Sequence, residues 1–571
     1  MQTPFPLKEN ICGSFILLLS RHPFLLNIFL LGCSFLFIPR FSTNDDPILA
    51  YLIYSGSHHL ALCMHPLMSW ILHTVSLASP ELPVLFLMET LINFVSIYLL
   101  LKSVIHHLSA KTPPILFIFT IFTISFYALY NYIQPQFTQC AGLAMASAIC
   151  FYTVSQTWKN RLFCTLWFLA GCTVRLDMIY AIIPFTGFLA LQEWIRLIQH
   201  KKNRASHHSF SWSLFLVITL AAIPLLSMGE KLAYNLSPGW ENGLHFNHQR
   251  ALICDYPDYS GMDKSLEISA QTGLSTVEWN MLKNFEYVPQ LAQQTNMIDQ
   301  LASIHREGNT METKMIHAKD HFPAVGNAIP LLFPIIGLLL TGMICIRRVN
   351  YSFWSYPCIA FSLIILFLFM GRVYNRVLYA PLLLCFVLMA ISLNNNIQWK
   401  KIPGKVCIFL SMLIMAGLFL NSQGKILGGV IKRTFTKEQR ESKVVFDYLT
   451  MHPEKIFISF DAFSTFEEAL AVSRRNFLRT DHVINCTGWH MWNPTFQEQL
   501  DRNSITDPYL ALYQDHVRFI QKGVETPAIL PYLEHHLGIK TKAILCDSLG
   551  SYRIYRIQKD TESVSYTHLR A

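Results

Sequence analysis

The chain has 571 residues, 52% of them hydrophobic and only 14% charged. A soluble domain carries nearer ~25% charged residues, so this composition excludes an ordinary soluble enzyme and indicates a polytopic membrane protein. The net charge of +9 sits in short segments between apolar runs, as in cytoplasmic membrane loops, and no basic stripe interleaved with aromatics marks a nucleic-acid surface.

At the N-terminus, Ile11 to Ser20 is apolar but short, is interrupted by Arg21-His22 and is followed by no small-residue cleavage pattern. A cleavable signal peptide is therefore not expected. Most of the 14 cysteines fall inside apolar runs and read as small buried hydrophobes. No CxxC pair marks a zinc ribbon or dithiol site, and the pairing of Cys254, Cys486 and Cys546, outside the runs, stays open.

Taking ~17–25 apolar residues as a crossing, the first expected span runs from Leu25 to Pro39. An acidic loop follows, Arg40-Phe41-Ser42-Thr43-Asn44-Asp45-Asp46-Pro47. Leu60 to Ala78 is broken by His65-Pro66 and His73 and reads as interfacial or re-entrant. Further spans are Pro83 to Leu101, Pro114 to Asn131 and Phe137 to Val154. Leu162 to Leu197 is too long for one helix and holds Arg175 and Asp177 at its middle, so two helices are expected to meet at Thr173–Asp177. Leu214 to Met228 and Ile329 to Ile346 bracket a polar segment, and Phe353 to Met370, Leu378 to Leu393 and Val406 to Leu420 complete eleven expected crossings. With the N-terminus inside, every inside loop is basic, among them Lys102 with Lys111, Lys159 with Arg161, and Arg347 with Arg348, as the positive-inside rule asks. From Thr436 onward a small α/β domain is expected, with a helix at Glu438 to His452 and strands at Lys455 to Phe460, Lys542 to Cys546 and Tyr552 to Ile557.

The resulting division is a membrane module over 1–421, with a first outside loop at 40–60 and an outside insertion at 230–326. An extracytoplasmic α/β domain follows over 422–562. Residues 563–571 continue no pattern and read as a foreign or disordered tail.

Five groups could carry chemistry. Asp45 and Asp46 stand at the membrane boundary, where charge needs a reason. One can serve as a base for a hydroxyl or amine, or the pair can share a divalent cation; equally, Asn44-Asp45-Asp46-Pro47 has the form of a helix start. Arg372 and Arg376 on one outside loop can grip a phosphate bidentately or simply snorkel to the interface. Arg175 and Asp177 within an apolar stretch can contact substrate or form a structural network, as can Glu89. Metal ligation by His58, His59, His65 or His73 matches no tight motif. Trp240, Tyr256, Tyr259, Trp489 and Trp492 can stack on sugars or pack in a core.

The acidic pair in the first outside loop, the broken apolar segment after it, the many spans and the outside C-terminal domain together resemble the GT-C superfamily of integral-membrane glycosyltransferases, in particular bacterial members with a C-terminal soluble domain. The resemblance implies that Asp45 and Asp46 are catalytic or metal-linked and that the donor is a polyprenyl-phosphate sugar. Arg372 and Arg376 match only a general habit of basic residues near the lipid phosphate, and no second signature, such as a WWD-type motif, aligns. The expected activity is transfer of a sugar from that donor to a glycan, lipid or protein acceptor at the outer membrane face. Arg372, Arg376, Arg175 and Asp177 are the expected substrate contacts. The alternatives are a transporter or flippase of lipid-linked glycans and a non-catalytic membrane scaffold. A flippase would be expected to show two related halves, and no internal repeat is visible.

Overall fold

The computed structural model describes residues 22–43, 45–57, 59–107, 114–199, 212–258, 263–328, 330–344, 351–371, 373–396, 405–434, 437–460, 468–523, 528–538 and 540–560. Among these, seven helices are long and apolar enough to cross a membrane: Val84–His107, Leu116–Ile133, Phe137–Val154, Met178–Ile198, Trp212–Asn235, Tyr351–Phe369 and Asn375–Leu393. Seven, not eleven, is thus the supported number. The other four expected crossings correspond to Pro23–Ser34, Trp158–Val174, Leu332–Ile344 and the apolar part, Ile408–Ser422, of a longer helix. Pro23–Ser34 has 12 residues and at 1.5 Å per residue reaches only about 18 Å, against a hydrocarbon core of ~30 Å. The apolar run Leu25 to Pro39 overstates that helix because its last five residues, Phe35 to Pro39, leave the helical path.

Phe137–Val154 is the central helix, 94% buried against 17% for the peripheral Trp212–Asn235. Its sequence explains the position: Cys140, Ala141, Gly142, Ala144, Ala146, Ser147 and Ala148 are small, and small residues let neighbouring backbones approach closely. Trp212–Asn235 instead presents Val217, Leu225, Met228 and Leu232 outward, as a lipid-facing helix must. Pro66–Ala78 is a 13-residue helix capped by the His65 side chain, which accepts from Leu67 N at 3.2 Å. It is too short to cross, in keeping with an interfacial segment. The long stretch around Arg175 does break, into Trp158–Val174 and Met178–Gln199.

The C-terminal region carries a five-stranded sheet built from β1 (Ile456–Ser459), β2 (Val483–Asn485), β3 (Val517–Lys522), β4 (Thr541–Leu549) and β5 (Tyr552–Lys559), in the order β2-β1-β3-β5-β4. The first three strands are parallel and the last two antiparallel. Alternation along each strand divides the side chains between two cores. Phe457, Ile520 and Ile554 pack with Val445 and Leu449 of the helix Lys437–Met451. Ile458, Phe519 and Tyr555 face the other way, into a core shared with Leu282, Tyr287 and Leu301 of the insertion. The insertion and the C-terminal sheet domain therefore fold against each other. Tyr287 N donates to Cys486 O at 2.9 Å, Gly488 N to Phe285 O at 2.8 Å, and the Tyr509 hydroxyl to Tyr287 O at 2.7 Å. Cys254, Cys486 and Cys546 are free thiols. The 563–571 tail lies outside the described residues.

Candidate functional site

The site forms where the sheet domain docks on the helix Asp45–Ser55. That helix is apolar nearly all round after its two acids, and every residue from Asp46 to Tyr54 is buried, as expected of a helix enclosed by protein on all sides. Bundle helices cover one side. On the other, the Tyr51 hydroxyl donates to Gln499 Oε1 at 2.9 Å, Arg474 donates to Tyr54 O, and the His490 ring meets Tyr51 edge-on at 5.3 Å. The turn before His490 is held open by Gly488, whose φ of +108° suits glycine; a Cβ there would lie 3.0 Å from Ile48 Cδ1. This close approach brings Trp489 over the start of the acidic helix.

The two aspartates part company here. Asp45 is ion-paired with Arg376 and accepts the Trp489 indole N–H at 3.2 Å, with its side chain 19% exposed. Asp46 is 0% exposed. It accepts the backbone N–H of Phe137 at 3.0 Å and the Thr43 hydroxyl at 3.3 Å. Phe137 opens the central helix, so Asp46 meets the positive end of that helix's dipole. Burial nevertheless outweighs these donors and pushes the Asp46 carboxyl up to about 7. Its neighbour is Glu89, fully buried in the helix Val84–His107. No donor from a described residue reaches either Glu89 oxygen, and the nearest charged group is the Asp46 carboxyl. Asp46 and Glu89 are thus two neighbouring buried carboxyl groups behind Asp45.

Arg376 is the second residue of the helix Asn375–Asn396, with its guanidinium carbon 5.0 Å from the Tyr374 ring centre. Arg175 stands on the far side of Phe137, its guanidinium carbon 5.1 Å from that ring, and donates to Thr138 Oγ1 at 3.1 Å. Asp177 lies 3.9 Å from Arg175 Nε and is mostly exposed. Asp45, Asp46, Arg376, Arg175 and Asp177 thus gather at one end of the bundle around the first turn of the central helix, while Arg372 lies outside the described residues. Cys63 shares this neighbourhood, and burial pushes its thiol up, which leaves it a poor nucleophile.

The described residues do not assemble a cation site. No three His, Cys, Asp or Glu side chains converge among them. Both Asp45 oxygens are already engaged by donors, and His73 Nδ1 is 2.6 Å from Ile53 O with its ring against His59 at 3.8 Å. His65 caps its helix and reaches Leu226 O at 3.2 Å; His58 and Tyr259 are outside the described residues. Trp240 is core. The parts that sequence reasoning missed are Phe137 and Thr138, which carry no charge to draw attention, and the bond from Trp489 to Asp45.

No protein-family model matches the chain, and comparison with curated proteins finds no match.

Proposed function

We propose that the protein is an integral-membrane glycosyltransferase that moves a sugar from a polyprenyl-phosphate donor to an acceptor hydroxyl or amine at the outer membrane face, with the sheet domain extracytoplasmic. The observation that supports this reading is the pairing of Asp45 with Arg376 beneath Trp489 at the membrane end of the bundle. Arg376 is ion-paired with Asp45 and masks it. A donor phosphate competes for the same guanidinium, because Arg binds phosphate oxygens in the same forked geometry as a carboxylate. Arg376 then moves to the phosphate, and Asp45 is left free to act as base.

In the chemical step the acceptor oxygen or nitrogen bonds to the anomeric carbon as the bond from that carbon to the phosphate oxygen breaks. The bonding pair leaves on the lipid phosphate beside Arg376, and the acceptor proton passes to Asp45. Configuration at the anomeric carbon inverts. Asp46, shielded from the acceptor, anchors the helix start and keeps Asp45 in place; Arg175 and Asp177 border the same space. The deciding experiment is sugar transfer by membranes carrying Asp45→Asn or Arg376→Ala. Full transfer by Asp45→Asn sinks the reading. Movement of a lipid-linked glycan across the bilayer without sugar transfer in the unaltered protein favours the flippase instead.

A further inference from the structure

A cleft of about 500 Å³ opens between the insertion and the sheet domain, within the ~300–1,000 Å³ range of small-ligand sites. Its apolar wall contains Phe246, Tyr287 and Trp492, with Phe246 stacked on Trp492 at 4.3 Å and Tyr287 6.0 Å from the same indole. Its polar rim contains Asn242, Gln497 and Asp501. Beneath the wall, the Trp492 indole N–H and the side-chain amide N–H of Asn493 are buried from the cleft and meet no acceptor among the described residues. The carbonyl end of that amide is committed, accepting from Phe496 N at 3.3 Å to cap the helix Pro494–Arg502. The helix Trp240–Cys254 comes close enough to form this wall because Gly243 packs directly on the chain at Trp492 and Asn493.

We infer that this cleft is a carbohydrate-binding site that takes a neutral or amino-sugar oligosaccharide. Sugar rings present C–H faces to aromatic and proline side chains and hydroxyls to amides, which is the division of this lining into wall and rim. The rim carboxylate of Asp501 disfavours phosphorylated or uronic-acid glycans. The cleft also joins the acidic site. Trp489 and Trp492 are three residues apart, so their Cα atoms lie within about 11 Å. Glu498 accepts the backbone N–H of Ser57 at 3.0 Å, just beyond the acidic helix. On the transferase reading, and resting on it, the bound oligosaccharide is the acceptor, delivered to Asp45 past Trp489.

The test is binding, measured by saturation-transfer NMR on the full-length protein in nanodiscs. The probes are a panel of neutral, amino-sugar and uronic-acid oligosaccharides. The expected result is saturable binding of neutral or amino-sugar members and none of uronic-acid members. Trp492→Ala, and separately the rim double variant Asn242→Ala with Gln497→Ala, should weaken binding roughly tenfold or more. No binding by any member, or equal binding by the rim variant, overturns the assignment. Binding by a protein that transfers no sugar leaves the cleft standing and removes the acceptor role. Transfer that proceeds with no binding removes the cleft alone.

Discussion

The Trp489 indole donates to the Asp45 carboxylate across 444 residues of chain, and this bond ties the sheet domain to the end of the membrane bundle. It places the acid under two donors, a guanidinium and an indole, that have different functions. Arg376 can be drawn away by an anion; Trp489 has no such competitor and orients the carboxylate whether or not Arg376 is engaged.

Asp45→Asn keeps the shape of the side chain and loses its basicity. Transfer by membranes should fall by roughly 10²–10⁴-fold, the usual contribution of a positioned base, with unchanged protein level. Arg376→Lys keeps the charge but loses the fork, and should raise the KM for the lipid donor more than it lowers kcat.

Trp489→Phe preserves the ring and deletes the N–H. A hydrogen bond to a charged group contributes about 1.5–3 kcal/mol, and the part realised in catalysis should appear as a roughly tenfold or greater drop in kcat. Unchanged kinetics would show that the indole only seals the interface.

The pH dependence of stability has two opposed components. Burial raises the Asp46 carboxyl to about 7, so the native state binds its proton more tightly than the unfolded chain does. This contribution is complete below the unfolded value of ~4 and is lost as pH rises through about 7. Asp46→Asn should flatten that limb of a melting-temperature profile between pH 4 and 7. The buried His490 is depressed to about 3, so the unfolded chain gains its proton first. The stability associated with neutral His490 is present above the unfolded value of ~6.5 and is lost as pH falls toward 3. His490→Gln should remove the acid limb, read by protease cleavage of the 488–493 segment.

Gly488→Ala must hold alanine at a φ of +108° with its Cβ against Ile48. The expected cost is about 1–3 kcal/mol, visible as a lower melting temperature and weaker sugar transfer through displacement of Trp489.

Composition and hydropathy alone determined that this is a helical membrane protein, because apolar runs are local sums that need no tertiary information. The break at Thr173–Asp177 was legible for the same reason, since a 36-residue apolar stretch exceeds one bilayer, and the strands at Lys455–Phe460, Lys542–Cys546 and Tyr552–Ile557 were visible in their β-rich composition. Two strands, β2 and β3, were missed. β2 has only three residues, too few for alternation to register, and the mixed pattern of β3 is half-buried. Run length also overcounted crossings, because apolar residues just outside a helix look the same as those inside it.

The adjacent acids Asp45 and Asp46 are indistinguishable in the sequence, and only tertiary packing separates them. Successive residues on a helix point about 100° apart, so one faces Arg376 and Trp489 at the domain junction while the other is driven into the bundle against Phe137 and Glu89. Which residue meets which partner depends on segments up to 444 positions apart, and no local pattern encodes that meeting.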